Sequence, residues 1–303
     1  MNESKEFLKE YDDSKYKKPS ATVDMIILTA VDVETKARSV PDKVLRVLLI
    51  KRKGDPLVVD ITDPYKGKWA LPGGFVNYYE DLDAAAIREL REETNISDVY
   101  MEQLYTWGKV YRDLRRRVIS TSYMALVDSS KLNIKAGDDA EDACWFDVKI
   151  TLLEEVKTQI KAGYIRKTTY ELSLVNSENE IKDTVIVTKK MEGRTSKIDL
   201  EYVDNPSGLA FDHATIIFYA LERLKNKVEY TDIAFSLMPE MFTLTELKKL
   251  YEVITGKVIY SRNFRDKMEK QKKMVIETDE WESGKPYKPA RLFRFNPDWV
   301  EDQ

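Results

Sequence analysis

Two runs dense in Val, Ile and Leu, ATVDMIILTAV from Ala21 and VLRVLLIKRK from Val44, predict a pair of strands around a polar loop. DPLVVDITDPYKGK, broken by Pro56 and Pro64, predicts a loop. WALPGGFV is extended again and turns on Gly73 and Gly74. From about Asp81 to Thr94 the spacing becomes helical, with Leu82, Ala86 and Leu90 forming one apolar stripe. VISTSYMALVD and ACWFDV predict further strands. The result is a mixed α/β domain whose first part ends near residue 150, with more of it returning later in the chain.

The second half opens with YELSLVN and DTVIVTKK, which flank the polar SENEIK and predict a hairpin. MEGRTSKIDLEYVDNPSG predicts a loop. In FDHATIIFYALERLKNK, residues Ile216, Ile217, Ala220, Leu221 and Leu224 have helical spacing. FTLTELKKLYEVITGK carries a capping-box signature, Thr243 with Glu246, and a natural stop at Gly256. YSRNFRDKMEKQKK predicts a second helix with Ser261 as its N-cap, and MVIETDE, WESGKPYKP and ARLFRF predict a hairpin. Helix, turn, basic helix and hairpin together are the pattern of a winged helix-turn-helix. Residues 1–19 are expected to form a polar arm, 20–228 the α/β domain with an insertion around 155–205, and 229–303 the winged helix.

Composition sharpens this division. The chain has 303 residues, long for one domain, and 34% are charged with mixed sign. Thirteen Lys and Arg stand against eight Asp and Glu between Thr243 and Phe295, an excess of +5 in a chain of net charge −4. An acidic body with a basic tail points to a phosphate-bearing partner. The single cysteine, Cys144, excludes an intramolecular disulfide and is expected to pack as a small hydrophobe. The single histidine, His213, is expected to settle a helix start, with Asp212 as its cap, rather than to perform chemistry. There is no apolar run long enough for a membrane span and no secretory signal, so a cytoplasmic protein is expected.

The predicted helix at 81–94 carries Glu89, Glu92 and Glu93 at i, i+3 and i+4, so three carboxylates share one face. In projection Glu89 and Glu93 border the apolar stripe. Near a core such charges cost desolvation as well as mutual repulsion, which a divalent cation would offset. The alternative is a solvated, charged amphipathic face. The wider stretch favours the cation. Gly74, Glu80, Arg88, Glu89, Leu90, Glu92, Glu93 and Ile96 have the spacing of the Nudix box, and the chain resembles the Nudix family. Asn95 stands where that box ends in glycine, just past the helix, and Asn is the next-best residue for the left-handed conformation wanted there.

The resemblance implies a Nudix fold, a mixed sheet between helices. It implies Mg²⁺ or Mn²⁺ held by Glu89, Glu92 and Glu93, with the Gly74 carbonyl as a further ligand and Glu80 and Arg88 bracing the loop against the helix. It implies water attack on a nucleoside diphosphate linked to another group. Asp138, Asp139 and Glu141 are candidates for the base.

KWALPGGFV, LAFDHATIIFYALERLK, FTLTELKKLYEVITGK and KPARLFRF further resemble the Nudix-related transcriptional regulators. These are typically dimers that bind ADP-ribose or a related metabolite and control DNA binding through an appended winged helix. Residues 1–18 and 155–205 match them poorly. In the tail, Arg262, Asn263 and Arg265 are of types that read base edges at the start of a recognition helix, and Lys267 and Lys270 of the type that meets phosphates. An acidic ETDEWES, and YKPAR where the regulators have a glycine, place the wing's DNA contacts in question. Arg112 and Arg115, in YRDLRRR, are either ligand-phosphate contacts or a basic turn. Three readings follow: a metabolite-sensing regulator with or without hydrolysis, an ADP-ribose-type hydrolase with an assembly tail, and a non-catalytic sensor of another ligand.

Overall fold

A computed structural model describes residues 16–33, 39–53, 63–95, 98–131, 143–203, 205, 208–271 and 273–299. A single mixed sheet organises the first two-thirds. Its main strands are β1 (Ser20–Val33), β2 (Asp42–Lys51), β5 (Tyr100–Trp107), β6 (Val118–Asp128), β7 (Ala143–Ile160), β8 (Gly163–Val175), β9 (Glu180–Glu192) and β10 (Thr195–Val203). They lie in the order β10-β9-β8-β7-β2-β1-β6-β5. Two short strands, β3 (Trp69–Ala70) and β4 (Gly73–Phe75), pair with β2 and β1 respectively. β1 and β6 are parallel, and the other pairings are antiparallel.

The nearly unbroken apolar run of β1 reflects burial on both faces. Val23, Met25 and Ile27 face α1 (Leu82–Thr94), packing with Ala85, Ala86, Leu90 and Tyr123. Ile26 and Leu28 join the cluster of α2 (His213–Lys227), with Ile216, Ile217, Ala220 and Leu224. This is a sheet between helices. The α1 stripe differs by one position from expectation. Ala85, Ala86 and Leu90 are buried, but Leu82 is 38% exposed, because the helix starts there and its first side chain lies beyond the sheet.

The hairpin expected from YELSLVN and DTVIVTKK is β8–β9. The loop expected over Met191–Gly208 is corrected: nine of its residues form β10, paired with β9 through the turn at Gly193. Its Ile198, Leu200 and Tyr202 alternate with Lys197, Asp199 and Glu201, the pattern of a half-buried strand. β5 and the extension of β7 to Ile160 are likewise additions to the expected elements.

After α2, a 3₁₀ turn (Ile233–Leu237) leads to α3 (Leu244–Thr255), α4 (Ser261–Asp266, continued by a π turn over Lys267–Gln271) and the hairpin β11 (Val275–Trp281) and β12 (Arg291–Phe295). The capping box is complete: Glu246 N donates to Thr243 Oγ1 at 3.2 Å, and Thr243 N donates to Glu246 Oε2 at 2.8 Å. Gly256 closes α3 at φ 68°, as its stop signal predicted. The N-cap of α4 is Tyr260, so Ser261 is its first helical residue rather than its cap. Leu247, Leu250, Tyr251, Phe264, Met268 and Phe293 fill the winged helix and belong to the same apolar cluster as α2 and the sheet. Among the described residues no helix is long and apolar enough to cross a membrane.

Candidate functional site

The site begins where β4 pairs with β1, setting Gly73 opposite Asp24 and Gly74 opposite Val23. Both glycines are required by close approach. A Cβ on Gly73 would stand 2.3 Å from the Val23 carbonyl oxygen, and one on Gly74 would stand 2.4 Å from Glu89 Oε1. Gly74 thus leaves room for a buried carboxylate against the loop backbone.

Glu80 holds the loop. Its Oε2 accepts from Asn77 N and Nδ2 at 3.1 and 3.0 Å, and Arg88 donates to its two oxygens at 2.8 and 3.1 Å. The hydrogen bonds from Arg88, then from the Asn77 backbone, hold the Glu80 carboxyl at about 2. Arg88 also donates to Glu89 Oε1 at 2.6 Å and to Phe75 O at 3.2 Å, and stands 3.5 Å from Glu92. Glu80 and Arg88 therefore clamp loop to helix, the bracing that the resemblance implied.

Glu89 is 7% exposed, whereas Glu92 is open to solvent and Glu93 half-buried. Burial pushes the Glu89 carboxyl above its ordinary range, against the pull of Arg88. Among the described residues no three His, Cys, Asp or Glu side chains are gathered closely enough to hold an ion. The donor set still suits a hard cation. Its members are oxygens, one is desolvated, and the glycine beside it has no side chain. Asn95 ends α1 at φ 56°, ψ 26°, with its N–H on Arg91 O at 2.8 Å. It fills the left-handed position that the box gives to glycine. Asp138, Asp139 and Glu141 lie outside the described residues.

Behind the loop sits a buried polar cluster that sequence reasoning missed. Arg112 is 6% exposed and donates to Asp212 at 2.7 and 3.0 Å and to Asp24 at 3.1 Å. Ser120 donates to Asp24 at 2.6 Å, and His213 Nε2 stands 3.7 Å from it. Burial works to raise the Asp24 carboxyl, yet His213, Arg112 and Ser120 together hold it well below the usual carboxylate range. His213 Nδ1 accepts from Leu71 N at 2.8 Å, which places its proton on Nε2, toward Asp24. His213 therefore ties the start of α2 to the glycine loop. Asp212 occupies the N-cap position, but its carboxylate serves Arg112 and makes no cap bond. Arg112 is thus consumed by two carboxylates, which leaves the phosphate reading to Arg115.

The Arg115 side chain is a quarter exposed. It donates to Asp113 at 2.9 and 3.1 Å and lies 5.3 Å from the ring centroid of Phe211 and 5.8 Å from that of Tyr65. Phe211 has φ 56°, a costly conformation for a bulky residue, and its ring packs 4.1 Å from Tyr65. Strain of this kind gathers at ligand sites, and no sequence pattern announces it.

In the winged helix, Phe264 and Met268 anchor α4 and its continuation while Arg262, Asn263, Arg265 and Lys270 are exposed. Arg265 pairs with Glu269 at 3.0 Å and Lys270 with Asp266 at 3.0 Å. Lys267 reaches Glu229 at 3.6 Å.

A glycine loop and glutamate helix on a mixed sheet, joined to a winged helix, define a Nudix-fold protein with an appended DNA-binding module. Residues 37–167 match the NUDIX domain and residues 234–295 the NrtR DNA-binding winged helix domain. The chain is 32% identical to the "ADPR responsive transcriptional repressor NtrR" of Acinetobacter baylyi, over 95% of this chain and 87% of that one. It is 36% identical to an ADP-ribose pyrophosphatase of Methanocaldococcus jannaschii, over 48% of this chain and 73% of the relative. Among solved structures, a MutT/nudix family protein from Enterococcus faecalis aligns at TM-score 0.62 and 27% identity, covering 98% of this chain and 93% of that one. Shewanella oneidensis NrtR in complex with a 27mer DNA aligns at 0.58 and 25%, covering 92% and 94%. The chain belongs to the NrtR family of Nudix-related transcriptional regulators.

Proposed function

We propose that this chain is a transcriptional repressor that binds ADP-ribose in its Nudix domain and duplex DNA through its winged helix. The observation that carries the reading is the union, in one body, of an intact glycine–glutamate loop with exposed Arg262, Asn263 and Arg265 on an anchored helix. The full-length likeness to an ADPR responsive repressor supports it. In this reading Glu89, Glu92, Glu93 and the Gly74 carbonyl would hold Mg²⁺ or Mn²⁺ once drawn together on binding, and the ion would supply charge neutralisation to the diphosphate. Glu80 and Arg88 keep the helix in register with the loop. Arg115, beside Tyr65 and Phe211, meets the polar part of the ligand, and Lys270 meets the DNA backbone.

The same glutamates favour a second activity, hydrolysis of the diphosphate. The bound metal would supply charge neutralisation and an activated water. The test is binding of a duplex from upstream of the chain's own gene, with and without ADP-ribose, beside AMP release from ADP-ribose and Mg²⁺. Displacement of the duplex by ADP-ribose is expected. Specific DNA binding absent from the wild type, or equal in Arg262→Ala, defeats the repressor reading. AMP release that persists in Glu93→Gln defeats the catalytic one.

A further inference from the structure

The basic segment of this protein is not confined to its tail. Four Lys and Arg and no acid lie between Val156 and Lys167, and four more with one acid, Glu192, lie between Thr188 and Ile198. The fold brings these two segments together. Beyond Leu152 the β7 strand pairs with β8 alone on one side, and β9 and β10 continue the ribbon. From Thr151 to Ile160 this arm reaches ~30 Å past the sheet body. A β-bulge between Leu152 and Glu154 marks its base, the device that bends a strand as it leaves a sheet.

Register sorts the charges. Lys157 stands opposite Arg166, and Arg166 opposite Lys189, so one row across three strands presents three cations on a single face. Directly opposed like charges destabilise a sheet in isolation. Relief within the arm is slight. Arg166 has Glu155 at 4.0 Å, and Lys157 rests 4.4 Å from the ring centroid of Tyr164. Lys190 and Glu192 pair at 2.7 Å on the opposite face.

The arm's direction matters as much as its charge. β2 begins at Asp42, which Lys249 of α3 grips, and β7 runs antiparallel to β2. β7 therefore leaves the sheet at the end where the winged helix docks. We infer that the Lys157–Arg166–Lys189 face of this arm is a second contact for the phosphate backbone of the duplex, flanking the segment read by the winged helix. The inference rests on the DNA-binding reading and adds a site to it. Three cations in a row ~10 Å long suit an extended polyanion better than a single small anion. A two-fold contact centred on this face would set it against itself, which disfavours a second copy of this chain there.

The test uses the full chain and its upstream duplex, either trimmed to the protected footprint or extended by about two helical turns on each side. Wild type is compared with K157Q/R166Q/K189Q and with the charge-preserving K157R/R166K/K189R. All three side chains reach solvent, so folding is expected to be retained and is checked by circular dichroism. Each lost phosphate contact flattens the salt dependence by about 0.9 in log–log slope. Three lost contacts therefore make the affinity loss between ~50 and ~200 mM salt roughly 40-fold smaller on the extended duplex. The charge-preserving variant keeps the wild-type slope. If the neutral variant keeps that slope while Arg262→Ala weakens binding, the arm inference falls and the DNA reading stands. If no variant and no wild type binds duplex, both fall. If the neutral variant instead splits an oligomer in sedimentation with its slope intact, the arm is a subunit contact and the inference is wrong.

Discussion

Replacing Arg112 with Met is the sharpest probe of the body behind the site. The guanidinium bridges Asp212 and Asp24, each less than 9% exposed, and methionine fills comparable space without charge. Removing the guanidinium leaves Asp212 buried without its cation and Asp24 with only Ser120 and His213, which costs about 3–5 kcal/mol. At roughly 2–3 °C per kcal/mol for a chain of this size, the melting temperature should fall by about 6–15 °C. The sign of the pH dependence follows from Asp24. Its folded carboxyl lies below its unfolded value near 3.8, so its contribution is full above that pH and is lost as pH falls through the folded value. In the variant Asp24 loses one of the groups that hold its carboxyl down while its burial stays, so protonation on acidification relieves it. The gap between wild type and variant must therefore narrow from pH 7 toward pH 4. Urea unfolding followed by circular dichroism at several pH values measures it. A loss below about 1 kcal/mol, or one that does not change with pH, would refute the buried-hub reasoning.

Further outcomes are expected. Gly74→Ala drives a Cβ into the Glu89 carboxylate and should abolish metal-dependent ADP-ribose binding in calorimetry while the fold persists. Thr243→Ala removes the capping box of α3 and should cost about 1 kcal/mol in urea unfolding. Glu89→Gln removes a carboxylate that burial keeps above its usual range. Because stability tied to such a group is lost as pH rises, the variant should gain on wild type between pH 4 and pH 8 in metal-free buffer, read by melting temperature. Arg262→Ala should weaken DNA binding in fluorescence anisotropy and leave ADP-ribose affinity unchanged.

Much of this arrangement was legible from the chain because local signals and tertiary demands agree. Asn95 adopts the left-handed cap that its position requires, and Thr243 with Glu246 forms the box that their spacing announces. The Gly74–Glu80–Arg88 clamp follows from the Nudix spacing. What stayed hidden depends on contacts distant in sequence. Arg112 sits in a basic turn that looks solvated, yet meets Asp212 one hundred residues away. Asp212 carries the signature of a cap but gives its carboxylate to that arginine. β10 does carry the alternation of a half-buried strand, but it is a short run set between Gly193 and the Asn205-Pro206-Ser207-Gly208 stretch, whose residues signal a loop. Phe211 has an ordinary identity and an unusual backbone, which no residue pattern encodes.

The apolar cluster that runs without a break from the sheet through α2 into the winged helix has an energetic consequence. A recognition helix on a loose tether could be redirected almost freely. Here, turning it relative to the sheet must break the packing of that shared cluster, at ~1.5–3 kcal/mol for each large side chain exposed. A ligand moves such an equilibrium only by the difference in its affinity for the two arrangements. Exposing two side chains would demand discrimination of about two to four decades in affinity. Any small molecule that reorients this helix must therefore grip one arrangement far more tightly than the other, and the thermodynamic threshold is set by packing far from the ligand.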